Sequence, residues 1–342
     1  MKLIAQIKLM PTTKQHQALL KTLETVNDAA NYISERALET KTFRQYDLHH
    51  LLYYDIRNRL NLTAQIVVRV LAKVADAYKL DRRTQRTFNK HGSIAYDRRI
   101  LSWRFADQTV SIWTMGGRQR IPFVAGEGHL KLLKALFGEA DLVYCDGQFY
   151  LYQTCEVEEP PPNEVQEFLG IDLGIKNIAT DSDGETFAGG QVNGLRKRHS
   201  KLRAKLQSKG TRAARRLLKK RHRKEGRFAK HINHCISKRL VGKAKDSGRG
   251  IALEDLKGIR SRITVRKSQQ RQHSSWAFAD LRAKIEYKAR LAGVMVVLVD
   301  PRNTSRLCPV CGCIDKRNRP SQPLFSCVSC GFAGPADTIA AG

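Results

Sequence analysis

The sequence predicts a chain of two parts, in which a β-rich domain with a helical insertion precedes an α/β domain that carries a cysteine-rich module. Three observations support this prediction. Apolar residues follow a period of two between about residues 93 and 157, whereas strand-like and helical segments alternate after residue 168. Five of the eight cysteines fall between Cys308 and Cys330, which indicates one local site and not a disulfide framework.

Composition and charge indicate the class of partner. Of the 342 residues 42% are apolar, so the chain can form an ordinary core. The formal net charge of +29 favours a polyanion such as a nucleic acid. No apolar run approaches the length of a bilayer span, and the charged N-terminal stretch MKLIAQIKLMP lacks a signal-peptide pattern. We therefore expect a cytoplasmic protein that binds nucleic acid and does not bind a membrane.

The first part begins with a strand and continues with helices. Helical periodicity predicts helices over 12–38 and about 46–80. The period-two region then predicts two hairpins, with turns at Gly116-Gly117 and Asp146-Gly147. The proline-rich stretch EEPPPNE at 158–164 is predicted to be the linker between the two domains.

The second part alternates strands with helices. Its first strand, 168–174, is followed by a predicted hairpin turn at Ser182-Asp183-Gly184. The remaining elements outside the charged segment are a strand at 249–258, a helix at 276–292 and a strand at 293–300. This alternation is typical of an α/β domain.

Residues 195–245 form the most charged segment. They contain 21 Lys and Arg and a single acid, Glu225, so the segment carries a net charge of 21 − 1 = +20. Leucine and isoleucine at helical spacing predict a helical hairpin that is broken at Ser208-Lys209-Gly210. A charge run can be a solvated helix face. Here the like charges repel one another and a polyanion would relieve that repulsion, so we interpret the segment as a nucleic-acid contact.

The cysteine-rich module has the spacing of a zinc ribbon. Cys308 and Cys311 form one CxxC pair, Cys327 and Cys330 form another, and fifteen residues separate the pairs. Four thiolates in two such pairs suit a tetrahedral Zn²⁺ ion, whereas a redox-active CxxC, the alternative, normally occurs singly. We therefore predict structural zinc that supplies the folding energy of this small module. Cys313 lies outside the pattern.

Three acids that are distant in sequence are candidates for a second metal site. Asp172 lies inside the apolar strand FLGIDLG, Glu254 stands at the end of RGIALEDL, and Asp337 follows the cysteine module. A buried carboxylate needs a partner, and three carboxylates together suit a hard cation. The alternative is that these acids are structural. Asp181 and Asp183 are interpreted as turn residues.

The stretches GIDLGIKNIAT, ALEDL, VDPRNTSRLCPVCG and FSCVSCGFAGPAD, in this order, resemble the TnpB/OrfB proteins of bacterial and archaeal insertion sequences. These are RNA-guided DNA endonucleases and apparent ancestors of the type V CRISPR effectors. The resemblance is strongest from 168 to 337 and looser in the first 160 residues.

The resemblance implies a specific domain organisation. The α/β part would be a RuvC-like nuclease domain of the RNase H fold, interrupted by the zinc ribbon. The first part would be a β-barrel-like wedge domain that encloses a helical recognition lobe. The implied boundaries are 1–10 and 93–167 for the wedge, 11–92 for the recognition lobe, 168–300 and 331–342 for the nuclease domain, and 301–330 for the ribbon.

The resemblance also implies a function for the three acids. Asp172, Glu254 and Asp337 match the family's catalytic acids and would hold Mg²⁺, or Mn²⁺, at a two-ion site for phosphodiester hydrolysis. The implied partners are a guide RNA and a double-stranded DNA target in a prokaryotic cell, close to the nucleoid. No oligomeric state is implied.

One departure from the family pattern keeps other functions open. The family's last motif reads Asp-Arg-Asp-x-Asn-Ala-Ala, whereas this chain has PADTIAA at 335–341, so the acid is kept without its Arg and Asn neighbours. A guided DNA-binding repressor with little or no cleavage is one alternative. A strand-transferring transposase is the other.

Overall fold

The computed structural model describes residues 1–221, 224–255, 278–321 and 323–341. The chain divides into two compact units, Met1–Glu158 and Glu159–Gly342, and the division falls in the proline-rich stretch 158–164. Among the described residues, no helix is long and apolar enough to cross a membrane.

The first unit is built on an antiparallel sheet. Its strands are β1 (Lys2–Leu9), β2 (Ile94–Tyr96), β3 (Leu101–Arg104), β4 (Thr109–Thr114), β5 (Gly117–Val124), β6 (Leu136–Cys145) and β7 (Gln148–Glu156). They are arranged in the order β2-β6-β7-β1-β5-β4-β3. β1 is the central strand, paired with β7 and β5, and its alternate residues Ala5, Ile7 and Leu9 are fully buried on one face.

Both predicted hairpins are present. Cys145 pairs with Gln148, and the two turn residues between them, Asp146 and Gly147, have φ of 51° and 80°, as a two-residue turn between twisted strands requires. In the other hairpin Thr114 pairs with Gly117, so the turn is Met115-Gly116, one residue earlier than predicted.

The helices of the first unit are α1 (Thr13–Glu39), α2 (Gln45–Leu60), α3 (Ala64–Leu80) and the short α4 (Glu127–Leu132). α1 begins at a capping box, in which Thr12 and Gln15 exchange hydrogen bonds. The prediction of one helical block over 46–80 is wrong, because Asn61 adopts a left-handed conformation with φ of 49° and ends α2. The buried faces of α1, α2 and α3 and of the sheet share one apolar core.

The second unit contains a mixed sheet. Its strands are β8 (Phe168–Asp172), β9 (Asn177–Asp181), β10 (Thr186–Ala188), β11 (Gly250–Glu254) and β12 (Val296–Val299), in the order β10-β9-β8-β11-β12. The pairs β10–β9 and β9–β8 are antiparallel, whereas β8–β11 and β11–β12 are parallel. The predicted α/β character is therefore present. Residues 256–258 of the predicted strand 249–258 lie outside the described residues.

The larger helices of this unit are α5 (Gly190–Lys209), α6 (Arg212–Arg221), α7 (Lys224–Asp246) and α8 (Phe278–Ala292). The predicted break in the basic segment is confirmed, because Gly210 ends α5 with φ of 62°. Leu240 of α7 and Leu281 of α8 are fully buried in the core that these helices share with the sheet. Residues 276–277 of the predicted helix 276–292 lie outside the described part.

The last elements are β13 (Leu324–Ser326), β14 (Ala333–Pro335) and the short helix α9 (Ala336–Ala341). β13 and β14 form a two-stranded ribbon. Its small core contains Phe325, two of the cysteines and Ala336.

Candidate functional site

The ends of two adjacent parallel strands bring Asp172 and Glu254 together. Leu253 of β11 pairs with Ile171 of β8, so the next residues of the two strands, Glu254 and Asp172, are neighbours at the same edge of the sheet. Because side chains alternate along each strand, these two project to one face, opposite to that of Leu253 and Ile171. The sequence signal was an acid inside an apolar strand for Asp172 and an acid at the end of an apolar strand for Glu254.

Gly170 allows the helix α9 to lie against this face. A Cβ atom at position 170 would be 1.6 Å from the main-chain oxygen of Ala341, so helix and strand meet backbone to backbone. Gly170 and Asp172 are two residues apart and face the same side of β8. Asp337, in the first turn of α9, is thereby carried to the side of the sheet that bears Asp172 and Glu254.

Two side chains hold the carboxylate of Asp337. Asn177 donates from Nδ2 to Oδ2 at 2.9 Å, and the guanidinium of Arg319 pairs with Oδ1 at 3.2 Å. Asn177 begins β9 just before a bulge, where the pairing of β9 with β10 skips Ile178. A bulge changes the direction of nearby side chains, which accounts for the reach of Asn177 to Asp337.

Two of the acids at this face, Asp172 and Glu254, have raised pKa values. Burial, followed by the charges of Glu254 and Asp337, raises the pKa of Asp172 to about 7. Burial also raises the pKa of Glu254, against a hydrogen bond from the Thr304 hydroxyl (2.7 Å to Oε1) and the charge of Arg319, which lower it. Arg319 lowers the pKa of Asp172 as well. The positive charge of Arg319 thus offsets the acids only in part.

The three predicted acids are neighbours but do not form a compact ligand set. Among the described residues, the group of potential metal ligands whose atoms all lie within 4.8 Å of one another is the cysteine quartet, and the acids form no such group. In kind they suit a hard divalent cation, which prefers carboxylate oxygens and relieves excess negative charge.

The four cysteines form the cluster that their spacing predicts. Sγ of Cys308 lies 3.6 Å from Sγ of Cys330, and Sγ of Cys311 lies 3.5 Å from Sγ of Cys327. Zinc–sulfur bonds of about 2.3 Å at tetrahedral angles place sulfur atoms about 3.8 Å apart, so the quartet fits a zinc ion. Cys313 is outside it and contributes its carbonyl oxygen, which accepts from the N–H of Cys308 at 2.9 Å.

The basic helices α5, α6 and α7 present the predicted charged surface. In α5 only Val192 and Leu206 are buried. Three of its lysines, spaced four residues apart, are exposed in one row: Lys197, Lys201 and Lys205. Glu225, the single acid of the segment, lies 3.6 Å from Arg196 and 3.5 Å from Arg203. α5 and α6 are therefore held by little apolar contact and a few ion pairs, whereas α7 packs into the core through residues such as Leu240. Most of the cationic side chains of the three helices face solvent.

The interpretation of Asp181 as a turn residue is wrong. It is the last residue of β9 and is fully buried. It pairs with Ile171 and therefore projects to the face opposite to Asp172, where it forms an ion pair with Lys243 of α7 and accepts from the N–H of Glu185 at 2.8 Å. Asp183 does lie in the turn between β9 and β10 and pairs with Arg249 at 2.7 Å.

Three residues around the acids were not predicted from the sequence: Asn177, Thr304 and Arg319. Asn177 follows Asp172 by five residues on the returning strand of the predicted hairpin, and that position was a usable signal. Thr304 and Arg319 belong to the cysteine module, and nothing local in the sequence indicates that they reach Glu254 and Asp337.

These features define a two-unit protein in which an acid-bearing α/β unit includes a four-cysteine ribbon, and two family models match successive parts of it. Residues 152–257 match the model OrfB_IS605, described as "Probable transposase", and residues 278–342 match the model "Cas12f1-like, TNB domain". A TnpB-like protein of Methanocaldococcus jannaschii is 31% identical over 192 residues, which cover 52% of this chain and 68% of that protein. The chain belongs to the TnpB family.

Two further relatives are named as DNA endonucleases. The CRISPR-associated endodeoxyribonuclease Cas12f1 of Sulfoacidibacillus thermotolerans is 31% identical over 246 residues, which cover 65% of this chain and 57% of that protein. The putative RNA-guided DNA endonuclease InsQ of Escherichia coli is 27% identical over 212 residues, which cover 56% of this chain and 52% of that protein. The matched regions thus span only about half the length of these two relatives.

Solved structures show the same fold. The Cas12f1 chain of a complex with sgRNA and target DNA matches with a TM-score of 0.61 at 15% identity, over 96% of this chain and 82% of that chain. The mini-RNA-guided endonuclease Cas-phi3 matches with a TM-score of 0.58 at 10% identity, over 100% of this chain and 92% of that chain. The chain therefore shares the fold of compact RNA-guided effectors.

Proposed function

We propose that this chain is an RNA-guided DNA endonuclease, in which a RuvC-like domain hydrolyses phosphodiester bonds with divalent ions held by Asp172, Glu254 and Asp337. The observation that carries the proposal is the strand register that sets Asp172 beside Glu254. The helix α9 packs on Gly170 and brings Asp337 to the same face of the sheet. Acids from three distant parts of the chain thereby lie on one face, although burial raises the pKa of Asp172 and of Glu254.

The side chains around the acids are suited to orienting them. When bound, Mg²⁺ or Mn²⁺ would activate a water molecule and stabilise the leaving oxygen of the phosphodiester. Asn177 fixes one oxygen of Asp337, and Thr304 fixes one oxygen of Glu254. Arg319 pairs with Asp337, and its positive charge lowers the pKa of Asp172 and of Glu254, which favours their ionised forms. At the ribbon, Cys308, Cys311, Cys327 and Cys330 would bind a Zn²⁺ ion with a structural role.

The proposed partners are a guide RNA and a double-stranded DNA target. The exposed lysines and arginines of α5–α7 suit a nucleic-acid backbone, which this class of enzyme recognises by charge and shape while base pairing supplies sequence. Cas12f1, with the same fold, forms a complex with sgRNA and target DNA. We retain the domain organisation implied by the family: a wedge at 1–10 and 93–167, a recognition lobe at 11–92, a nuclease domain at 168–300 and 331–342, and the ribbon at 301–330.

Cleavage by a guided complex tests the proposal. The chain is expressed in a prokaryotic host together with the DNA that flanks its gene, and the RNA that copurifies is sequenced. The purified complex is then incubated with a plasmid that carries a matched target beside a randomised flank, with and without MgCl2. We expect cleavage that requires both the matched target and the metal, and that Asp172→Asn abolishes while RNA still copurifies.

A matched variant separates loss of chemistry from loss of folding. Asp76→Asn removes an equally charged side chain from the surface of α3, where its partner is Lys79, and should leave cleavage unchanged. Unchanged cleavage by Asp172→Asn would refute the site. Target binding without cleavage by the unaltered chain would instead indicate a guided repressor, and joined DNA ends would indicate a transposase.

A further inference from the structure

Thr180 lies directly opposite Asp172 in the sheet. β8 and β9 are antiparallel, and Asp172 and Thr180 are paired in their register. Directly opposite residues of an antiparallel pair project to the same face, with their Cβ atoms about 4.5–5.5 Å apart. The hydroxyl of Thr180 therefore belongs to the face that carries Asp172 and, through α9, Asp337.

This hydroxyl is buried without a hydrogen bond. Thr180 is 1% exposed, and its Oγ1 has no hydrogen-bond partner among the residues that the structure describes. Buried polar groups in native proteins nearly always have a partner. The next residue illustrates the rule, since Asp181 is equally buried but is satisfied by Lys243 and by the N–H of Glu185.

Packing alone does not account for a threonine at this position. Valine has nearly the same shape and is at least as favourable in a strand, and it would avoid the cost of an unpartnered buried hydroxyl. The neighbours Ile178 and Ala179 are apolar and buried, so a valine would continue the pattern. The hydroxyl is therefore a cost to the metal-free fold that requires a compensating interaction in another state.

We infer that Thr180 is a positioning residue for the divalent-cation site, whose hydroxyl donates to the carboxylate of Asp172 when that carboxylate binds a cation. This inference rests on the proposed function, because it assigns a role within the same site. A hydroxyl donor on one carboxylate oxygen fixes its orientation and leaves its remaining lone pairs for the ion. Asn177 and Thr304 already play this part for Asp337 and Glu254, so Thr180 would complete the set with one polar partner for each acid.

Two variants and one matched control test this role. Thr180→Val keeps the shape of the side chain and removes the hydroxyl, whereas Thr180→Ser keeps the hydroxyl. The control is Thr114→Val in the first unit. Thr114 is also fully buried in a strand, but its hydroxyl donates to Gly117 at 2.7 Å and accepts from the N–H of Gly116 at 3.2 Å.

The measurements use the chain without Mg²⁺ or Mn²⁺, in buffer without a chelator so that zinc at the cysteine quartet is retained. Binding of Mn²⁺ is followed at pH 8 by the electron paramagnetic resonance signal of the free ion, and Asp172→Asn defines the background. Loss of a partner that orients a metal ligand typically weakens metal affinity by about 10- to 100-fold. We expect that loss for Thr180→Val, near-normal affinity for Thr180→Ser and unchanged affinity for Thr114→Val.

The melting temperature of Thr180→Val provides a second readout. If the hydroxyl of Thr180 had a purely structural role, its loss would lower the melting temperature, whereas the proposed role predicts no change or an increase. Without divalent ions, Thr180→Val should melt at the same temperature as the unaltered chain or higher, whereas Thr114→Val should melt lower. Wild-type Mn²⁺ affinity in Thr180→Val, a lower melting temperature for it, or failure of a folded Thr180→Ser to bind Mn²⁺ would each overturn the inference. If the unaltered chain shows no binding that depends on Asp172, the proposed metal site fails and this inference fails with it.

Discussion

Replacing Asp172 with asparagine removes a charge from the face of the sheet where negative charge accumulates, and the metal-free protein should become more stable. The pKa of this carboxyl rises from 3.8 to about 7 in the folded chain. A tenfold change in proton affinity is worth about 1.4 kcal/mol, so ionising the carboxyl costs the fold at most about 4 kcal/mol. Solvent reaches part of the side chain and screens its charge, so we expect a gain of about 2–4 kcal/mol.

The gain should depend on pH in a defined direction. Because the folded pKa lies above the unfolded value, the folded chain binds more protons between about pH 4 and pH 7. The contribution of Asp172 to stability is therefore lost as the pH rises through this window. The asparagine variant lacks that titration, so its advantage over the unaltered chain should be small near pH 4 and complete above pH 7.

Scanning calorimetry in magnesium-free buffer without a chelator measures this effect while leaving zinc in place. For a unit of the size of Glu159–Gly342, 1 kcal/mol shifts the melting temperature by about 2–4 °C, so Asp172→Asn should raise it by roughly 5–15 °C at pH 8. Saturating Mg²⁺ should stabilise the unaltered chain and not the variant. The advantage of the variant should then shrink.

Asp181→Asn is the matched control, because the same substitution on the neighbouring strand should have the opposite sign. Asp181 is fully buried and is paired with Lys243, so its loss leaves a cation with weaker partners and should cost about 1–3 kcal/mol. If Asp172→Asn lowers the melting temperature at pH 8, or raises it equally at pH 4 and pH 8, the charge at position 172 is compensated and the electrostatic argument for a cation site is wrong.

Three further results are expected. Cys327→Ser should lose the zinc that plasma mass spectrometry detects in the unaltered chain, whereas Cys313→Ser, outside the quartet, should retain it. Gly170→Ala should abolish cleavage because its methyl group displaces α9. Gly242→Ala, in a helix where the new methyl group meets no described atom beyond its chain neighbours and the helix's own backbone, should raise stability by about 0.5–1 kcal/mol in urea unfolding. Three exposed lysines of α5 can be changed to glutamine without disturbing the fold: Lys197, Lys201 and Lys205. In this variant the slope of log affinity for the copurified RNA against log salt concentration should become shallower by about 0.7 for each phosphate that is no longer neutralised.

The elements that sequence analysis predicted best were those whose signal is local. The turn at Asp146-Gly147, the break at Gly210 and the cysteine quartet each depend on a few adjacent residues with strong conformational or chemical preferences. The helical block over 46–80 was predicted poorly because asparagine tolerates both helical and left-handed conformations, and the pattern of apolar residues continues across Asn61.

The candidate site could be predicted only in part, because some of its contacts have no local signal in the sequence. Asp172 and Glu254 are indicated by their strands, since an acid inside or at the end of an apolar strand is a local feature. The close approach of Ala341 to Gly170 and the ion pair of Arg319 with Asp337 depend on how distant segments pack. The sequence around Gly170 is equally compatible with a glycine in a turn. The contact of α9 with Gly170 in the folded chain explains why a side chain is excluded at this position.

The ribbon and the acid site are mechanically linked, although they contain different metal ligands. The ribbon segment supplies Thr304 to Glu254 and Arg319 to Asp337. α9 begins directly after β14, and the N–H of Ala336 donates to the carbonyl of Pro323 at 3.0 Å. The position of the third acid therefore depends on the folded ribbon as well as on the contact of α9 with Gly170, whereas Asp172 and Glu254 are set by the sheet alone. Loss of zinc should then leave two acids in place and release the third, so a metal with no catalytic role would still control the composition of the cation site.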